Sequence, residues 1–147
     1  MVVQAATVSF ESIKVGDELP SIKKSETQED IDNYLKLNDA ERDTGFNLHS
    51  DQELADKGIF AGTVNYGVST AAFLVEMLQL AFPTRQIMKG TYDVRFLEPI
   101  RINDLVTYGG RVLEKREENG KRLVDVEVTG VNQLGQTVAA GKATIPL

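Results

Sequence analysis

The chain has 147 residues, 41% of them hydrophobic and 26% charged, which predicts one folded domain and excludes a disordered or membrane-spanning chain. Cysteine is absent, which excludes disulfides, thiolate nucleophiles and cysteine-based metal sites. The formal net charge of −6 at pH 7 argues against a nucleic-acid partner, because phosphate binding needs a basic surface.

The first third of the chain predicts one short strand and two helices. Residues 10–16 alternate between apolar and polar, which is typical of an entry strand that ends in a turn. A capping pattern at Thr27, followed by apolar residues on one helical face, predicts the first helix. Residues 38–50 are polar and predict a loop. A second capping box begins at Ser50, and Gly58 follows a lysine as a stop signal, so a short helix is expected between them.

A strongly apolar segment follows Gly62. From Val64 to Phe82 the apolar residues recur at helical spacing, and Pro83 ends the pattern. A helix with so wide an apolar surface is expected to be buried.

The last third of the chain predicts β-structure. Asn119-Gly120 is a hairpin signal, and a second turn is expected at residues 132–135. Strands joined by short turns pair as antiparallel neighbours. A buried helix followed by an antiparallel meander predicts an α+β fold in which the sheet wraps around the helix. The expected strands cover residues 91–96, 105–113, 123–128 and 136–145.

Four segments carry a resemblance to a known family. They are residues 46–51 (FNLHSD), 58–67 (GIFAGTVNYG), 92–100 (YDVRFLEPI) and 132–135 (NQLG). In these segments the chain resembles the MaoC-like dehydratases and (R)-specific enoyl-CoA hydratases, and the resemblance covers nearly the whole chain as a single domain, residues 1–147. It implies a hot-dog fold, in which an antiparallel sheet wraps around a long central helix.

The resemblance also implies an activity and partners. The family's hydro-lyases add or remove water at C2–C3 of an acyl thioester carried by coenzyme A or acyl carrier protein, with no further cofactor. A homodimer or a higher homo-oligomer is implied as well. No membrane partner is expected, because no apolar run approaches about 18 residues. The first ten residues lack the pattern of a secretion signal, so we expect a cytoplasmic protein.

The family's reactive motif, Asp-x-Asn-Pro-x-His, is altered in this chain. Aligned without gaps on His49, its Asp slot falls on Thr44 and its Pro slot on Asn47. Asp43 lies one residue earlier, and a bulge at Gly45 would return its carboxylate to the site. We favour Asp43, because a threonine hydroxyl is no base at neutral pH. Asp43 also belongs to a run of charged residues that a solvated loop would carry.

Hydration of an enoyl thioester needs acid–base groups and donors for the enolate oxygen. His49 is the only histidine, the residue type that exchanges protons near pH 7. The resemblance implies that the N–H of Gly67, at the start of the apolar helix, binds the thioester oxygen. Asn47 and Tyr66 are candidate substrate-binding residues, although Asn47 also suits a turn and Tyr66 also suits packing.

Two other functions stay open. The displaced motif would suit an acyl-thioester-binding protein that has lost catalysis. A thioesterase would need a carboxylate on the central helix, where Glu76 is the only acidic residue, about 13 Å along the axis from Gly67. No metal site is predicted, because one histidine without cysteine cannot supply the usual zinc ligands.

Overall fold

The computed structural model describes residues 2–38 and 48–147. Within these ranges the chain forms a five-stranded sheet and four helices, of which the last is a single turn that the sequence did not predict. In chain order the elements are β1 (Ile22–Lys24), α1 (Gln28–Asn38), α2 (Gln52–Lys57), α3 (Gly67–Ala81), α4 (Thr84–Ile87), β2 (Thr91–Phe96), β3 (Val106–Glu118), β4 (Lys121–Val131) and β5 (Thr137–Pro146).

The sheet is antiparallel throughout, with the strand order β1-β3-β4-β5-β2. Strands β3, β4 and β5 form the predicted meander. The turn between β3 and β4 places Asn119 and Gly120 at φ angles of 50° and 72°, the left-handed conformations that a two-residue hairpin needs. Strand β2 lies at the edge of the sheet, where Thr91 pairs with Thr144 and Phe96 pairs with Ala139.

Helix α3 packs across β3 and β4. Its buried side is formed by Thr70, Leu74, Met77, Leu78 and Ala81. The four apolar residues among them meet the inward-facing valines of the sheet in one hydrophobic core, and each fully buried aliphatic side chain contributes about 1.5–3 kcal/mol. The predicted α+β class, with a helix packed against an antiparallel sheet, is therefore confirmed.

The strand predicted over residues 10–16 is wrong, because this segment consists of turns. The backbone N–H of Ser9 donates to the hydroxyl of Ser12, and the N–H of Ser12 donates to the hydroxyl of Ser9. The N–H of Lys14 donates to the carboxylate of Asp17 at 2.9 Å. These local side-chain bonds satisfy backbone groups that a strand would use in a ladder.

Helix α3 begins later than the apolar pattern suggests. Val64 forms an isolated bridge with Arg101, and the N–H of Asn65 donates to the carbonyl of Ile100 at 2.8 Å. The segment before Gly67 is therefore extended and bonded to the chain beyond β2.

The two earlier helices begin at capping patterns. Thr27 and Asp30 form a reciprocal capping box, in which each backbone N–H donates to the other side chain. The N-cap of α2 is Asp51, which accepts the N–H of Leu54 at 2.9 Å, and not Ser50 as predicted. The predicted loop over residues 38–50 lies mostly outside the described residues.

Candidate active site

His49 is held at both its ring and its backbone. Its Nδ1 lies 2.7 Å from the carbonyl oxygen of Val64, and its own carbonyl accepts the side-chain amide of Gln28 at 2.8 Å. Because a carbonyl only accepts, Nδ1 carries the proton in this arrangement. The neutral ring then has Nε2 as its unprotonated nitrogen, which is the form that a general base requires.

Tyr66 lies against the face of the histidine. The ring centroids of Tyr66 and His49 are 3.6 Å apart with an interplanar angle of 30°, and the ring of Tyr34 lies 5.4 Å from that of Tyr66. Tyr66 was predicted to bind substrate. The structure places it against the histidine, outside the residues that line the neighbouring cavity, where it restricts the orientation of the imidazole.

A cavity of about 300 Å³ brings His49 and the start of α3 together. Its walls are mostly apolar and come from the segment after β2, from the extended segment before α3 and from β5. Polar groups are few, which is typical of a small-molecule site. The cavity is lined by His49, Phe60, Val64, Asn65, Gly67, Thr70, Phe96, Leu97, Glu98, Pro99, Ile100 and Val138.

The first turn of α3, whose Gly67 and Thr70 line this cavity, leaves a backbone donor unbonded. The N–H groups of Ser69 and Thr70 both donate to the carbonyl of Tyr66, at 3.1 and 3.3 Å. The N–H of Gly67 has no hydrogen-bond partner among residues 2–38 and 48–147. It lies at the positive end of a 15-residue helix, so it can stabilise a developing oxyanion.

A half-buried carboxyl that the sequence did not indicate lies behind this turn. The side-chain Nδ2 of Asn65 donates to the carboxylate of Glu26, and the side-chain Oδ1 of Asn65 accepts the N–H of Tyr66 at 2.6 Å. Burial raises the pKa of Glu26, and hydrogen bonds from Asn65 and Ser69 offset part of that rise. Glu26 directly precedes the capping residue Thr27, so its local sequence suggests only a helix boundary.

The other predicted site residues are placed as follows. Asp43, Thr44 and Asn47 lie outside the described residues, so the choice between Asp43 and Thr44 stays a prediction. Glu76 forms an ion pair with Lys24 at 2.7 Å and does not line the cavity. Among the described residues, no group of histidine, aspartate and glutamate could hold a metal ion.

The sequence matches the family model described as MaoC like domain over residues 27–134, which include His49, Asn65 and Gly67. The chain belongs to the MaoC-like domain family. A comparison with curated proteins gives no significant match. In the described part of this MaoC-like protein, no helix is both long and apolar enough to cross a membrane.

Solved structures share the fold of this MaoC-like protein. The monoamine oxidase regulatory protein from Archaeoglobus fulgius aligns with a TM-score of 0.77 and 24% identity, covering 100% of this chain and 95% of its own. The MaoC-like dehydratase from Rhodospirillum rubrum aligns with a TM-score of 0.78 and 20% identity, covering 96% of this chain and 97% of its own. The (R)-hydratase PhaJ1 from Pseudomonas aeruginosa aligns with a TM-score of 0.72 and 22% identity, covering 97% of this chain and 86% of its own. The predicted hot-dog fold is therefore confirmed.

Proposed function

We propose that this MaoC-like protein is a hydro-lyase that adds or removes water at C2–C3 of an acyl thioester carried by coenzyme A or acyl carrier protein. One observation carries the proposal: His49 and Gly67, whose N–H has no hydrogen-bond partner in the described chain, line the same apolar cavity. Membership of the family and the likeness to an (R)-hydratase support it. The apolar walls suit an acyl chain.

In the hydration direction, Nε2 of His49 takes a proton from water while the water oxygen bonds to C3. The C2–C3 π electrons move toward the carbonyl, whose oxygen becomes an enolate held by the Gly67 N–H. When the enolate collapses, C2 takes the proton back from His49, so the elements of water are added. Acid–base help of this kind contributes about 10²–10⁴ in rate, and one oxyanion donor contributes about 10²–10³. Asp43 is the proposed carboxylate partner, which orients the ring of His49 or shares its proton.

The test is hydration of crotonyl-CoA, followed as loss of the enoyl absorbance. The informative variant is His49→Asn, because an asparagine amide can still donate to the carbonyl of Val64 but offers no base. We expect the variant to stay folded and to lose activity by about 10²–10⁴-fold. Activity of His49→Asn equal to that of the wild type would contradict the mechanism. A folded wild type that hydrates no enoyl-CoA of any chain length would contradict the function.

A non-catalytic acyl-thioester-binding protein is the second candidate. It is favoured by the altered motif, whose Asp slot falls on Thr44 when the motif is aligned on His49 without gaps. Binding of acyl-CoA without turnover, unaffected by His49→Ala, would support this candidate. A thioesterase is less well supported, since Glu76 pairs with Lys24 away from the cavity. Release of free coenzyme A thiol without hydration would favour it.

A homodimer and a cytoplasmic location belong to the same proposal. The dimer is supported by the open edge of β2, which pairs with β5 on one side only in the described chain. Tyr92, Phe96 and Leu97 along this edge are about half exposed. A second copy would satisfy the unpaired backbone groups and cover these side chains.

A further inference from the structure

Residues 26–28, which end the linker after β1 and begin α1, contact the site at two points. The carboxyl of Glu26 hydrogen-bonds the side-chain amide of Asn65, just before α3. Two residues later, the side-chain amide of Gln28 donates to the carbonyl of His49 at 2.8 Å. One short segment is therefore bonded to both halves of the candidate site, the histidine and the helix start.

The linker itself is fixed by further hydrogen bonds. The carbonyl of Glu26 accepts the N–H of Asn103 at 2.9 Å, and the next residue, Thr27, enters the capping box with Asp30. Strand β1 ends two residues before Glu26, and α1 begins two residues after it. Both anchoring side chains therefore extend from backbone with little conformational freedom.

The side chain of Asn65 connects Glu26 to the backbone at the start of α3. Its Nδ2 donates to Glu26, and its Oδ1 accepts the N–H of Tyr66 at 2.6 Å. Because the Tyr66 amide is occupied, the first unbonded amide of the helix start is that of Gly67, which lines the cavity. The ring of Tyr66 lies against the ring of His49. The hydrogen bond from the Tyr66 N–H to Asn65 therefore also helps to hold the tyrosine ring in place beside the imidazole.

We propose that Glu26 and Gln28 are positioning residues that set the separation between the His49 ring and the Gly67 amide. Neither touches the cavity, and both act through Asn65, Tyr66 and the backbone of His49. The expected effect on catalysis rests on the proposed hydratase function, whereas the effect on the geometry of His49 does not.

The kinetic test uses crotonyl-CoA hydration and compares Glu26→Ala, Glu26→Gln and Glu29→Ala. Alanine removes the bond to Asn65, and misplaced reacting groups lower kcat by about 10- to 100-fold, with KM changed less. Glutamine still accepts a hydrogen bond from Asn65 and is expected to restore kcat to within about 3-fold. Glu29 is exposed in the first turn of α1, so its variant is the matched control with unchanged rate. An unchanged kcat in folded Glu26→Ala, or an equal loss in Glu26→Gln, would overturn the proposal.

A second measurement is independent of activity. His49 is the only histidine, so the nitrogen-15 ring signals of the labelled protein report on this residue alone. We expect the Nδ1–H form in the wild type, a shift toward mixed tautomers in Glu26→Ala and Gln28→Ala, and the wild-type spectrum in Glu26→Gln. Identical spectra in all four proteins would overturn the proposal. If the wild type hydrates no enoyl-CoA, the proposed function fails and these spectra still decide the positioning role.

If Glu26→Ala does not fold, Glu26→Asp gives the same comparison. Aspartate keeps the charge and shortens the side chain by one methylene, so its carboxylate no longer reaches Asn65 in the present geometry. The same change in the ring signals and the same fall in kcat are expected. Wild-type behaviour of Glu26→Asp would show that the distance from Glu26 to Asn65 does not matter and would overturn the proposal.

Discussion

Gly67 is the residue at which one added methyl group has the clearest expected consequence. A Cβ built there would lie 3.0 Å from Cε2 of Phe96 and 3.2 Å from its Cδ2, so the aromatic ring would have to move. Phe96 and Gly67 both line the cavity. The absence of a side chain therefore serves close packing and access to the amide together.

We predict that Gly67→Ala lowers kcat/KM for crotonyl-CoA by about 10- to 100-fold, because the displaced ring and the methyl group crowd the thioester. Its unfolding free energy is expected to change by no more than about 1 kcal/mol, since alanine also favours the helix. The measurements are steady-state kinetics and urea unfolding. Gly109→Ala is the control, because its nearest neighbour would be Cβ of Ser21 at an ordinary 3.7 Å. Full activity in Gly67→Ala would show that this amide is not at the reacting centre.

Single residues also show which parts of the site can be predicted from the sequence. The resemblance led to His49 and Gly67, which the structure brings to one cavity. The contact between Glu26 and Asn65 was missed because it joins residues 39 positions apart. Asn65 lies in the family-like segment 58–67, but nothing in that segment indicates a partner for its side chain. A contact of this kind is a property of the folded chain and leaves no local pattern.

At the scale of elements, local signals were reliable where no other interaction competed with them. The strand over residues 91–96, the hairpin at Asn119-Gly120 and the capping box at Thr27 all appear in the structure. Residues 10–16 alternate, but side chains bonded to the nearby backbone hold them in turns. The position of β2 beside β5 was not predictable, because strand pairing across the sheet depends on distant parts of the chain.

Strands β3, β4 and β5 are linked by a buried ionic group. Asp125 on β4 is 3% exposed and accepts bonds from Arg116 at 2.6 Å, Thr144 at 2.7 Å and Lys142 at 3.1 Å. Burial acts to raise the pKa of Asp125, but the hydrogen bonds outweigh it, so the pKa lies below the ordinary 3.8. A carboxyl whose folded pKa is lowered stabilises the fold above its unfolded pKa, and that contribution is lost as the pH falls through the folded value.

We predict that Asp125→Asn lowers the free energy of unfolding at pH 7 by about 2 kcal/mol, because hydrogen bonds to a charged acceptor are lost. The difference from the wild type should shrink when urea unfolding is repeated at pH 3. Glu127→Gln is the control on the same strand. Its partner is Arg111 at 3.0 Å in an exposed pair, so it should cost less than about 1 kcal/mol. An equal cost for Asp125→Asn at pH 7 and pH 3 would contradict the assigned role.

At the scale of the whole molecule, the sheet has two edges that differ in character. Strand β1 is a three-residue edge beside β3, whereas β2 has six residues and exposes Tyr92 and Phe96. Short edges resist pairing with other chains, and longer apolar edges favour it. The proposed dimer therefore uses β2.

We predict a mass in solution of twice 16.2 kDa, measured by light scattering after size-exclusion chromatography. Hydrogen exchange should show slow amides along the whole of β2, because the outward N–H groups of this strand would be bonded to the second copy. Strand β1 supplies the internal control, since its outer amides should exchange quickly. A monomer at every concentration, or fast exchange on β2, would exclude this assembly.

The position of Phe96 and Leu97 couples assembly to ligand binding in this proposal. Both residues border the cavity, and both lie where β2 ends at the open edge. A neighbouring copy along that edge would complete the rim around the acyl group. Each subunit would then contribute to thioester binding in the cavity of the other. By reciprocity, a bound thioester would tighten the pair, and dilution to single subunits would weaken affinity for the thioester by the same factor.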